Sequence, residues 1–510
     1  MLRISSSETI TNPREFAGYT VNSRRVESQT RSGAVVNRKS TGLRLGAGRR
    51  FTPRYGLGPA PEGGRERAAL TAGRECATMG QDGGQGADGT SRFETLDALR
   101  GVCALMVAFF HMPFAHPLRA VPHFDNVQFC VDVFFVLSGF VLLHAYGERL
   151  AGSRQDLRRR GLWRQGLRFA LVRFGRLWPL HAATLGLLVA IEAARLLYLA
   201  GHPGMPVVTP PFGEAHRPIE VLTHLLFLQD FLTFGEFSWN VPAWSIAVEF
   251  YASLVLAGTV MLVGPRAHRT FAVLALLSAL ALHAASPGTL FAIQDWGILR
   301  CLSDLFVGCL AYGLRDALRL PEAWAGWVEA AALALLLAVA ALVPPGGWAY
   351  GAPLVFGAVI ALFSHGRGPV SAAAQGAVPQ ALGRWSFSIY LLHFPVLQLF
   401  RTGLHYAVPG AGAPTPGAEG GGIDLGAPLL NLSAALALVG VSVLLAGPSY
   451  WLIERPALAW FRALDRWAFA RTPAAPGLGM PASQPMSQPV SQIEKPPHRP
   501  ACGDWSPIGQ

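Results

Sequence analysis

Ten apolar stretches leave this chain little choice of fold. They cover roughly 96–115, 127–146, 172–199, 241–263, 270–286, 297–314, 326–343, 349–365, 385–403 and 427–453. A helix rises about 1.5 Å per residue, so about 20 apolar residues cross the ~30 Å hydrocarbon core of a bilayer. No water reaches a backbone N–H or C=O at that depth, which leaves helices or closed barrels as spanning structures. Runs of this length predict an all-α integral membrane protein with about ten transmembrane helices and no soluble catalytic domain. Residues 218–234 are a shorter apolar stretch, expected to be interfacial or re-entrant.

Composition agrees. Of 510 residues, 51% are hydrophobic and 14% charged, against about a quarter charged in an average soluble domain. The net charge of +11 does not point to nucleic acid, because many arginines sit in short loops between apolar runs. The segment 147–176 holds nine arginines (149, 154, 158, 159, 160, 164, 168, 173 and 176) against Glu148 and Asp156, which makes it cytoplasmic. Arg266 and Arg269, Arg315 and Arg319, Arg367 and Arg384, and Arg455, Arg462 and Arg466 then fall on the same side. The loops 200–240, 287–296, 344–348 and 404–426 fall outside, with only Arg217 among them. Both termini are expected in the cytoplasm of a multi-pass inner or plasma membrane protein.

Six cysteines (76, 103, 130, 301, 309 and 502) form no C-x-x-C pair, so neither a disulfide framework nor a metal site is expected. Residues 1–92 lack an apolar core of signal-peptide length and are expected to be a disordered cytoplasmic tail, with Met79 an alternative start. Residues 93–457 form the transmembrane domain. Residues 458–510 are expected to be a cytoplasmic tail, of low complexity from about 472.

Several ionisable groups fall inside or beside the apolar runs, where they are costly and suspect as functional. Arg100 and His111 are eleven residues apart, about 20° on a helical wheel, with a rise of about 16 Å. They are therefore expected on one face, with Arg100 at the cytoplasmic surface and His111 near the midplane. His111 reads either as a general base for a hydroxyl or as a satisfied interior histidine, and Arg100 as a site residue or a topological anchor. Arg173 and Arg176 share a face at i,i+3 and suit phosphate recognition, or anchoring. Trp244, Ser245 and Glu249 enter the membrane from outside, with Ser245 and Glu249 at i,i+4; Glu249 is either a site acid or the partner of an arginine. Ser386, Tyr390 and His393 form a stripe that suggests a cavity lining. Arg300 and Asp304, also at i,i+4, read as a local pair. Glu454 and Arg455 read as a local helix stop.

Taken in order, six motifs resemble the acyltransferase-3 family of integral membrane acyltransferases. They are Leu96-Asp-Ala-Leu-Arg100-Gly with ten residues from Arg100 to His111, Val133-Phe-Phe-Val-Leu-Ser-Gly-Phe140, Arg173-Phe-Gly-Arg176-Leu-Trp-Pro179, Trp244-Ser-Ile-Ala-Val-Glu249-Phe-Tyr251, Gly383-Arg-Trp-Ser-Phe-Ser-Ile-Tyr390-Leu-Leu-His393-Phe-Pro395 and Ser449-Tyr-Trp-Leu-Ile-Glu-Arg-Pro456. The resemblance covers about 93–460. It implies about ten spans and transfer of an acyl group, usually acetyl from acetyl-CoA, to hydroxyls of surface glycans or small molecules. Arg100 and His111 match the family's arginine–ten–histidine motif, and Arg173 and Arg176 its R-x-x-R motif. At Trp244–Tyr251 the family often carries two acids where this chain keeps Glu249 alone.

These features predict an O-acyltransferase. His111, Arg100 and Glu249 are expected to be catalytic, with His111 either the base or a brief carrier of the acyl group. Arg173 and Arg176 are expected to hold the phosphates of an acyl-CoA, and Trp244, Ser245, Ser386, Tyr390 and His393 to line the acceptor cavity. Glu249 would orient His111 or bind the acceptor. Acetyl-CoA enters as co-substrate, with no bound cofactor. The rival reading is a multispanning transporter of glycans or lipid-linked intermediates, with intramembrane charges lining a path. No two-halves symmetry and no phosphate-binding loop favour it.

Overall fold

The computed structural model describes residues 93–469, apart from 153–160, 206, 208, 233–237, 287, 294, 319–320, 345 and 408–422. The expected tail 1–92, the low-complexity stretch from about 472, and Arg154 and Arg158 to Arg160 lie outside the described residues. The described chain is helical, with no strand beyond one isolated bridge between Phe114 and Ile423.

The helices are α1 (Glu94–Phe110), α2 (Phe129–Ala151), α3 (Leu162–Gly201), α4 (Pro218–Leu225), α5 (Trp244–Val263), α6 (His268–Ala285), α7 (Gly297–Leu314), α8 (Ala325–Leu342), α9 (Ala352–Phe363), α10 (Pro369–Ala374), α11 (Ala377–Ala407), α12 (Pro428–Ser449) and α13 (Arg455–Ala468). Seven helical stretches among the described residues are long and apolar enough to cross a membrane, and three of the ten expected spans lie outside that set. The expected span 96–115 is a helix of 17 residues. The expected span 349–365 lies in the short apolar stretch Gly347–Phe363. The expected span 385–403 lies in α11, which at 31 residues is long enough but interrupted by Arg384, His393 and Arg401. The stretch 218–234 contains only the eight-residue α4.

Two long-range helix pairs organise the bundle, and glycines set both. Cβ atoms on Gly101 or Gly383 would strike the partner's backbone where α1 meets α11. Gly101 lies at Gly383 and His111 lies at His393, so α1 and α11 run parallel with a constant offset over about 15 Å. A second parallel pair joins α2 to α7. Gly139 abuts the Leu305 backbone, Gly308 abuts Val136, and Arg300 reaches Asp132. The expected i,i+4 pairing of Arg300 with Asp304 gives way to this inter-helix pair. Both Asp132 oxygens accept from Arg300, at 2.7 and 2.8 Å.

Near the end of the described chain the helix does not stop at Glu454–Arg455. It passes through a π-helical turn, Tyr450–Glu454, and continues as α13. Such turns carry an extra residue per turn and rotate the helix beyond them. Here Glu454 is buried and faces α11 and α3. Helix α13 lies along α3, held by a bidentate pair from Arg168 to Asp465 at 2.9 Å and by the Phe461 ring over Gly175. Packed structure therefore runs to Ala468, past the boundary expected at 457.

Candidate active site

Six helices converge on one cavity of about 320 Å³, within the size range of small-molecule sites. Arg100 of α1, Arg173 and Arg176 of α3, Ser245 and Glu249 of α5, and Ser386 and Tyr390 of α11 all line it. Helix α2 supplies an apolar wall that includes Phe134, Phe135 and Leu142, and α13 adds Leu458 and Arg462. Among the described residues the cavity thus carries four arginines against one lining carboxylate, Glu249.

Each charged group is held from a different element. Arg100 sits beside Asp97, one turn earlier, at 3.6 Å. Arg173 donates from Nη2 to Glu249 Oε1 at 2.7 Å, and Ser138 Oγ donates to the same oxygen at 2.7 Å. Glu249, expected to orient His111 or bind the acceptor, is instead engaged by Arg173. The Nε of Arg173 is buried and finds no hydrogen-bond partner among the described residues. Arg176 stands 3.8 Å from Glu454 Oε2 and over the Phe387 ring at 5.8 Å, and Ser388 Oγ donates to Glu454 Oε1. Pro179 inside α3 leaves the Gly175 carbonyl without its usual helical donor, in the turn that carries both arginines.

Tyr390 closes the inner end. Its hydroxyl lies 2.7 Å from Ser245 Oγ and donates to the Pro242 carbonyl at 3.0 Å. Behind it lies the His393 ring, 5.9 Å from that of Tyr390, and then the His111 ring, 5.0 Å from that of His393. His393 is fully buried, and neither histidine lines the arginine cavity. His111 is not within a continuing helix either. It is the residue that ends α1, since Pro113 disfavours helix in the residue before it. The carbonyls around this chain end are gathered by Arg119, which donates to Phe110, Met112 and Phe114 oxygens at 3.3, 2.7 and 3.2 Å. The Nδ1 of His111 lies 2.8 Å from the Val107 carbonyl. A carbonyl only accepts, so Nδ1 carries the proton of the neutral ring and Nε2 keeps a free lone pair.

Trp244, expected in the lining, stays outside it and packs over the Arg300 guanidinium at 5.7 Å. Sequence reasoning missed four contributors. Ser138 is visible in the sequence only as a lone hydroxyl in an apolar motif, and Glu454 is masked by its neighbour Arg455. Arg119 lies in the 3-10 turn Pro117–Ala120 beyond the apolar run, and Arg462 looks like one more topological arginine.

Residues 93–451 match the acyltransferase domain that defines the acyltransferase-3 family. The chain belongs to that family. It is a multi-pass membrane acyltransferase, and the arginine cavity is built from the family domain plus α13. The chain is also similar to Protein 2 in picA locus of Rhizobium radiobacter, 34% identical over 180 residues, which covers 32% of this chain and 81% of that protein. No solved structure matches the chain.

Proposed function

We propose that the protein is an O-acyltransferase that takes an acyl group, acetyl by preference, from cytoplasmic acyl-CoA. It passes the group to a hydroxyl of a glycan or small molecule bound for the cell surface. The observation that carries this reading is the cavity with four arginines whose inner end is closed by Tyr390, with a histidine pair packed directly behind that ring.

The arginine cavity suits a phosphorylated donor, because planar guanidinium groups pair bidentately with phosphate oxygens. The apolar α2 wall suits the pantetheine arm, and its thioester would lie inward toward Tyr390. His111 Nε2 takes the proton of the acceptor hydroxyl as the oxygen attacks the thioester carbonyl carbon. The C–S bond breaks, the ester remains on the acceptor, and the CoA thiolate takes up a proton. Arg173 and Arg176 hold the donor, with Glu249 and Ser138 fixing the Arg173 fork. Arg119 supports the turn that presents His111.

The test is thiol release from acetyl-CoA by the purified full chain in nanodiscs, with candidate glycan acceptors, for wild type and His111→Ala. Release by wild type and its loss in a mutant of unchanged melting temperature is the expected result. Retained release in His111→Ala would remove His111 from the mechanism. No release from any acyl-CoA would favour a transporter.

A further inference from the structure

The family domain ends at residue 451, yet the cavity does not. Leu458 and Arg462 of α13 complete its wall, one helical turn apart. The topological reading of Arg462 treats it like Arg455 and Arg466, arginines of the same helix. Those two do not line the cavity, and Arg462 does.

Helix α13 is built to hold its position. Phe461, next to Arg462, fills the notch at Gly175, where a Cβ would collide with its ring. Asp465, one turn further on, takes both nitrogens of the Arg168 fork at 2.9 Å. On other faces of the helix Trp460 and Trp467 are exposed, as aromatic anchors at a membrane–water interface are. Buried Glu454 in the preceding π turn ties the base of α13 to α11 and α3. The helix therefore lies at the mouth of the cavity and does not trail from it.

The arginines of the cavity grade from sheltered to open. Arg173 is 12% exposed, Arg176 28% and Arg100 31% by side chain, and Arg462 is the most open of the four. A CoA thioester presents its groups in a fixed order. The acyl group comes first, then the pantetheine arm, the diphosphate, and the 3′-phosphate on the ribose. With the thioester inward, the 3′-phosphate is left nearest the mouth. We infer that Arg462, set over the cavity mouth by α13, binds the 3′-phosphate of the CoA donor, so that this helix outside the family domain sets the preference for CoA over its dephosphorylated form. The inference rests on the acyl-CoA reading of the cavity.

The experiment compares acetyl-CoA with acetyl-3′-dephospho-CoA as donors for the full chain in nanodiscs. Wild type, Arg462→Ala, Arg462→Gln and Arg466→Ala are each assayed by thiol release. Charge-assisted hydrogen bonds predict a wild-type preference for acetyl-CoA of roughly tenfold or more in kcat/KM. The preference is expected to collapse in both Arg462 variants through a rise in KM for acetyl-CoA that exceeds any change for the dephosphorylated donor. Arg466→Ala is expected to keep it. A wild type without the preference, or Arg462 variants that retain it, overturns the role of Arg462 and leaves the transferase standing. Failure of wild type to release thiol from either donor overturns the transferase reading and this inference with it. The glutamine variant keeps the position polar and guards against a folding defect in the alanine variant.

Discussion

Two of the ion pairs that tie helices together inside this bundle differ in one respect. The Arg300–Asp132 pair joins α7 to α2 with both side chains 0% exposed. Arg300 also donates to the Gln128 carbonyl at 3.2 Å and lies under the Phe291 ring. The Arg173–Glu249 pair joins α3 to α5, but its side chains are 12% and 19% exposed because they open on the cavity. The sealed pair has every incentive to stay closed, since breaking it leaves a bare charge in a low-dielectric interior. In the proposed donor reading, the open pair would exchange a partner for an incoming phosphate without that penalty. The two pairs thus divide by access and not by type: one is sealed between helices and the other opens on the cavity.

Substitutions sharpen that division. Arg300→Ala is expected to have the largest effect, costing about 3–5 kcal/mol of stability by stranding Asp132; denaturant titration in detergent would show it. A variant that melts like wild type would break the contrast between the pairs. Arg173→Ala is expected to act on the donor instead. It should raise KM for acetyl-CoA by roughly 10- to 100-fold, as loss of a charged hydrogen-bond partner does, with a smaller change in melting temperature than Arg300→Ala. Tyr390→Phe comes last. It removes the bonds to Ser245 and the Pro242 carbonyl and is expected to cost about 0.5–1.5 kcal/mol, read from the same denaturant titration.

The contrast also explains what could be read from the sequence. Apolar run length and arginine placement point to a multi-pass helical protein, because both follow from bilayer thickness and backbone hydrogen bonding. Local spacing is enough to nominate Arg100, Arg173, Arg176, Ser245, Glu249, Ser386 and Tyr390, which do share a cavity. It fails where the partner is distant in the chain. Arg300 has Asp304 at i,i+4 but binds Asp132, and Glu454 lies next to Arg455 but turns toward Arg176. Periodicity carries α1 past its true end, because the effect of Pro113 is local and stronger than the apolar pattern. Gly101 and His111 are ten positions apart, and so are Gly383 and His393, a match present in the sequence. Its meaning, a parallel helix pair in register, needs the two helices side by side.

The proposed mechanism divides labour between the arginine cavity, which binds the donor, and His111, which carries the transfer. CoA affinity measured by equilibrium binding for wild type, His111→Ala and Arg173→Ala, alongside thiol release by each, tests it most directly. The expected result is wild-type CoA affinity with no thiol release in His111→Ala, and weakened CoA affinity in Arg173→Ala. Retained thiol release in His111→Ala, or wild-type CoA affinity in Arg173→Ala, would contradict it.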